Sequence, residues 1–295
     1  MKKFFFQGIV SGLMLLLISS VSAVTFSGGG GQGISVVDGS GGGDYTSLLQ
    51  AAQDFNAYAG GCTGDWSLFI KSNLTEPVNV PFGNKTNGYI VTIKPFTGAT
   101  PIITFTCPTK NPGWEGHLVI GSNDLTTDGD SITTEGMSLV VIDGSNTPGG
   151  TSRDLTITNT GTNASVNSIL AHFVGKTENC IVKNCRIINN CSGNSGESIG
   201  VEFSSRYRKL DTISYHPKDC QVDNCEISCM GTVRGAIGIL TRHIGSPAPA
   251  VGTAQSGLKV TNNVITASAR AMYLQMIGSM TISGNTISVS SISFR

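Results

Sequence analysis

From residue 168 onward, two kinds of short segment alternate along the chain, each placing apolar residues at every second position. One kind reads SILAHFV (168–174), SIGVEFS (198–204), AIGILTR (236–242) and AMYLQMI (271–277). The other reads CIVKNCRI (180–187), CQVDNCEI (220–227), LKVTNNVI (258–265) and MTISGNTI (280–287). A period of two marks a strand with one buried face. No single repeat is large enough to bury its own apolar face, so the repeats must stack on one another.

Stacking in parallel register sets equivalent positions above one another at about 4.8 Å. The inward columns expected from this alignment are Ile169/Ile199/Ile237/Met272, Ala171/Val201/Ile239/Leu274 and Val182/Val222/Val260/Ile282. Outward columns should avoid like charges. Lys183 falls over Asp223, Arg186 over Glu226 and His172 over Glu202, all compatible in sign. Upstream, residues 139–142 and 155–157 look like further rungs, and 34–37 like a first strand after a glycine-rich lead-in. Residues 44–58 have helical spacing, with Asp44 or Thr46 as N-cap and Leu49, Ala52, Phe55 and Tyr58 on one apolar face. Such a helix would cover the open end of the coil. Trp66 and Trp114 are expected in core or edge packing.

These segments resemble the pectin lyase-like superfamily of right-handed parallel β-helices. The residues that carry the resemblance are VKNCRI (182–187), VDNCEI (222–227), VTNNVI (260–265) and ISGNTI (282–287). The resemblance spans roughly residues 34 to 295 and is specific for fold. It implies an all-β solenoid, a right-handed parallel β-helix with a short N-terminal capping helix. It also implies that the polar position after the bend turns inward and stacks as a ladder, here Cys185, Cys225, Asn263 and Asn285. The Gly-Asp-Tyr-Thr stretch before the helix is similar to the opening of pectin esterase-like chains. An extracellular polysaccharide is the partner this likeness suggests.

Composition narrows the picture further. Nineteen basic residues balance nineteen acidic ones, and only 13% of the chain is charged. That balance argues against nucleic acid or an anionic membrane as the main partner. Lys2 and Lys3, an apolar run at about 9–18 and small residues ending at Ala23 form an export signal with cleavage after residue 23. No later apolar stretch is long enough to span a bilayer, so the mature chain is expected to be secreted or held at the cell surface. Residues 24–60 form the lead-in, first strand and cap, and 61–295 the β-helix. The eight cysteines then sit where disulfides are permitted. Cys180 over Cys220 and Cys185 over Cys225 are either buried small side chains or inter-rung disulfides.

Candidate chemistry is sparse. Residues 231–238 resemble a pectin esterase motif, but Arg234 stands at the aspartate's position, which removes the nucleophile. No aspartate cluster of the hydrolase kind lies on a strand face. Asp124, Asp128 and Asp130 form an oxygen-rich loop that makes calcium a candidate cofactor, with a solvated turn as the plainer alternative. The outward columns Leu170/Gly200/Gly238/Tyr273 and His172/Glu202/Leu240/Gln275 suggest a shallow depression with an aromatic platform. The segments after them contribute Arg206, Tyr207, Arg208, Arg242 and His243. Together, His172, Glu202, these five residues and Tyr273 suit an acidic or neutral glycan, bound and, in a lyase or hydrolase, cleaved. The competing reading is a non-catalytic adhesin or structural solenoid. The strand-like alternation continues to the last residue without a capping element, which predicts a coil that goes on beyond residue 295.

Overall fold

The computed structural model describes residues 31–58, 60–106, 116–121, 137–160, 168–191, 197–208, 213–230, 235–244, 255–275 and 277–290. The export signal, the 124–130 loop and Trp114 lie outside these residues. Among them the chain folds into three sheets of eight, seven and seven strands.

The first sheet stacks Gly31–Val37, Cys62–Ile70, Val91–Pro95, Val140–Asp143, Ile181–Lys183, Gln221–Asp223, Leu258–Thr261 and Met280–Ser283. The second runs from Val80–Phe82 through Leu118–Ile120, Ser168–Val174, Ser198–Arg208 and Ala236–Ile244 to Arg270–Leu274. The third stacks Leu74–Glu76, Ile102–Phe105, Leu155–Asn159, Cys185–Asn189, Glu226–Cys229, Val264–Ala267 and Thr286–Val289. Each turn of the coil visits the first, third and second sheet in that order. The pairs within these stacks are parallel. Parallel strands of one sheet joined this way cross over right-handedly. The main core fills the space between the three sheets.

The bend from the first sheet to the third takes one residue in the left-handed region: Asn184, Asn224, Asn262 and Gly284, with φ between 47° and 66°. Asparagine and glycine tolerate that conformation, which is why the sequence pattern repeats there. The next residue turns inward. Asn263 Nδ2 donates to Val222 O (3.0 Å) and to Asn285 Oδ1 (3.0 Å), and Asn285 Nδ2 donates to Val260 O (2.8 Å). Two rungs earlier, sulfur occupies the same place: Cys225 Sγ lies 3.7 Å from Val182 O and Cys185 Sγ 3.9 Å from Ile142 O. The expected ladder is present, half amide and half thiol.

The N-terminal helix spans Leu48–Ala57, and its cap is Ser47, whose hydroxyl accepts from Gln50 N at 3.1 Å. Asp44 is otherwise engaged, since its carboxylate accepts from Val36 N at 2.7 Å and ties the loop to the first strand. Leu48, Ala51, Ala52 and Phe55 are buried, while Leu49 and Tyr58 pack at the margin. Glu76, on the third sheet, accepts from Leu48 N (2.6 Å) and Leu49 N (3.3 Å) and so caps the helix a second time. Phe55 stacks on Trp66, a core residue whose indole donates to Ser35. The first strand begins at Gly31, inside the stretch read as lead-in, because Gly31 and Gly33 pair with Cys62 and Trp66.

Two columns of the second sheet differ from expectation. The last strand is shifted by two residues: Arg270 pairs with Ile237 and Met272 with Ile239, leaving Leu274 opposite Thr241. The inner face is also different. A Cβ on Gly200 would stand 2.7 Å from Ile227 Cγ2, and one on Gly238 2.4 Å from Ile265 Cγ2, so both glycines face the interior. Val201 and Ile239 are in the main core too, so the alternation breaks between consecutive inward residues. Ile169, Ile199 and Ile237 form a separate buried cluster with Leu240, not an inward column. The inward column Val182/Val222/Val260/Ile282 holds, as do the pairs Lys183/Asp223, Arg186/Glu226 and His172/Glu202.

Candidate functional site

The outer side of the second sheet gathers most of the described polar candidates. His172 pairs in register with Glu202, Glu202 with Leu240, and Leu240 with Tyr273. Two positions on, Val174, Ser204 and Arg242 are in register. Side chains two apart on a strand share a face, which brings Glu202 beside Ser204 and both beside Arg242.

Glu202 is fully buried and both of its oxygens are engaged. Arg242 reaches back across one rung, with Nε 2.5 Å from Oε1 and Nη2 2.6 Å from Oε2. Ser204 Oγ donates to Oε1. His172 Nε2 lies 3.0 Å from Ser204 Oγ and 3.7 Å from Glu202 Oε1. Burial pushes the Glu202 carboxyl up, against the pull of the Arg242 charge and the Ser204 hydroxyl. Gln255, buried alongside, donates from Nε2 to Phe203 O (2.8 Å), Ser205 Oγ (3.2 Å) and Arg242 O (3.2 Å), binding adjacent rungs together.

Tyr273 stands apart from this buried network. Its residue surface is 37% exposed. The Arg270 guanidinium lies over its ring at 4.4 Å, and Gln275 Nε2 donates to its hydroxyl at 2.6 Å. The ring is thus held at two points while keeping solvent contact. The two glycines thought to hollow out a depression beside it point inward instead, because there a side chain would collide with the third sheet.

The expected loop after residue 204 is a hairpin. Ser198–Arg208 is one strand, and Ile213–Tyr215 folds back antiparallel on it, pairing Arg206 with Tyr215, Tyr207 with Ser214 and Arg208 with Ile213. His243 continues the next strand opposite Ser205. The structure therefore groups His172, Glu202 and Arg242, and it places the backbones of Arg206, Tyr207, Arg208 and His243 on the extension of the same two strands. Asp124, Asp128 and Asp130 fall outside the described residues, within which no three metal-binding side chains cluster. No described helix is long and apolar enough to cross a membrane.

Sequence reasoning missed Ser204 and Arg270 as parts of this face, whereas Gln275 was placed on it but two residues out of register with its actual neighbours. Ser204 carries a signal in hindsight, two residues from Glu202 and in register with Arg242. Arg270 was hidden by the two-residue shift of the last strand.

The molecule is an all-β parallel β-helix with a capping helix, as its own three sheets define. Two crystal structures of the pectin methylesterase of Aspergillus niger, one deglycosylated and one with an N-acetylglucosamine stub, are similar to it. Each is 10% identical and matches 90% of this chain, covering 92% and 88% of theirs, with TM-scores of 0.34 and 0.33. At that level the likeness transfers no residue role. No protein-family model matches the chain, and no curated protein does.

Proposed function

We propose that this chain is an exported β-helix that binds extracellular polysaccharide without cleaving it, through a strip on the outer side of the second sheet centred on Tyr273. The observation that carries this reading is the exposed Tyr273 ring, positioned by Arg270 and Gln275. An aromatic ring offers a flat apolar surface to the C–H face of a sugar while its edge and neighbours serve the hydroxyls. Arg270 supplies a positive charge for a uronic acid carboxylate. The backbones of Arg206, Tyr207, Arg208 and His243 lie on the extensions of the neighbouring strands.

The state of Glu202 supports binding over catalysis. A general base or nucleophile needs a free lone pair facing substrate. Glu202 is buried, and Arg242 and Ser204 occupy its oxygens.

Titration of the protein with polygalacturonate, alginate and glycosaminoglycan oligosaccharides by calorimetry tests the proposal. Binding to at least one acidic glycan is expected, with Tyr273→Ala weakening it about tenfold, the scale of one lost stacking contact. No binding to any of them, or an affinity unchanged in Tyr273→Ala, overturns it. Formation of unsaturated product at its absorbance maximum, with or without calcium, would overturn the non-catalytic half.

A further inference from the structure

The described cysteines are buried and unbridged. Four of them stand in register on consecutive rungs. Glu178 bridges to Lys218, Ile181 pairs with Gln221, Lys183 with Asp223 and Arg186 with Glu226, one constant offset that sets Cys180 beside Cys220 and Cys185 beside Cys225. Each pair follows matching left-handed bends: Asn179 and Asp219 precede the first, Asn184 and Asn224 the second. The side chains of a pair therefore leave the backbone in the same direction.

We propose that Cys180–Cys220 and Cys185–Cys225 are two disulfide sites, each clamping the same two rungs of the coil. Register neighbours on a parallel ladder lie about 4.8 Å apart, inside the roughly 4.4–6.8 Å Cα range of disulfides. The neighbouring sulfur helps push up the thiols of Cys180 and Cys185, as a closely stacked partner would. Two of the other described cysteines have different register neighbours: Cys229 pairs with Asn189 and Ala267, and Cys62 with Gly31.

The oxidant is a small-molecule or protein disulfide, acting by exchange while the rungs are closing. One thiolate attacks the external disulfide, forming a mixed disulfide and releasing one thiol. Its stacked partner then attacks the protein sulfur of that bond and releases the second thiol. Two protein thiols are oxidised, one external disulfide is reduced, and the two protons leave with the released thiols.

The full chain, refolded in reduced and oxidised glutathione, is denatured in iodoacetamide and mapped by mass spectrometry without reductant. Peptides joined through Cys180–Cys220 and Cys185–Cys225 are expected, with the remaining cysteines alkylated. Alkylation at all eight cysteines, or joining in other pairs, overturns the proposal. One bond found alone supports that site and overturns the other. Cys220→Ser and Cys225→Ser should each free the partner thiol for alkylation. The double variant should abolish the rise in melting temperature that oxidation gives the parent; a rise that persists in it also overturns the proposal.

Discussion

Single residues carry opposite electrical burdens in this coil. His117 is buried against the Phe105 ring, its Nε2 3.2 Å from Ser168 Oγ, and burial lowers its pKa to about 4. The unfolded imidazole titrates near 6.5, so between those values the unfolded chain binds the extra proton and stability falls as pH drops. The loss reaches about 3 kcal/mol by pH 4. Glu76 and Glu202, pushed up by burial, work in the opposite sense, so the informative comparison is with His117→Gln, whose denaturant midpoints should lack this component. Glu202→Leu leaves the Arg242 guanidinium without its carboxylate and should cost about 3 kcal/mol, whereas Glu202→Leu/Arg242→Leu should cost less than that single change. Urea denaturation of the set decides it; an additive double variant would refute the coupling. Leu139 sits at φ 57° where the bend in later rungs uses Asn179, Asp219 and Gly257. Leu139→Gly should therefore raise stability by about 1 kcal/mol, read from the same curves.

At the level of elements, the helix is fastened from outside as well as by its own cap. Glu76→Ala strips two helix N–H groups of their buried acceptor and should lower the unfolding free energy by about 1–3 kcal/mol. Circular dichroism during urea titration would show it, and no change would mean that water replaces the carboxylate. Much of the architecture was legible in the sequence, for a physical reason. The bend needs a residue that tolerates positive φ, and the next position meets a carbonyl, so the four later rungs repeat an Asn or Gly followed by Asn or Cys. Alternation alone was misleading in the second sheet. Gly200 and Gly238 have no side chain to declare a face, and the alternation breaks beside them, so apolar Ile199 and Ile237 were assigned inward. The Glu202–Arg242 contact was half visible, since both residues were singled out and the register of their strands holds, but a side chain reaching diagonally back across a rung is a choice of rotamer that spacing does not set.

Across the described coil, the first and last rungs differ. The helix covers one, while the last described rung carries Ile282 at 44% and Ile287 at 49% exposure. Met280–Ser283 and Thr286–Val289 hold no charge and no proline, the features that usually keep an edge strand from pairing with others. Ile282→Lys/Ile287→Lys should lower light scattering in concentrated solution at unchanged secondary structure; equal scattering would place the association elsewhere.

The parallel ladders have a mechanical consequence. Register partners in the parallel ladders belong to neighbouring rungs, so those hydrogen bonds run along the axis of the coil and join each rung mainly to the next, with Arg153 reaching one rung further to Asn224. Tension along that axis loads the rung interfaces in series, as in a stack of plates, and the weakest gives way first. Separation would advance along the axis, one rung per step. A pull across the axis, between two points on the same rung, is carried instead by covalent backbone. The protein is a material with a strong and a weak direction.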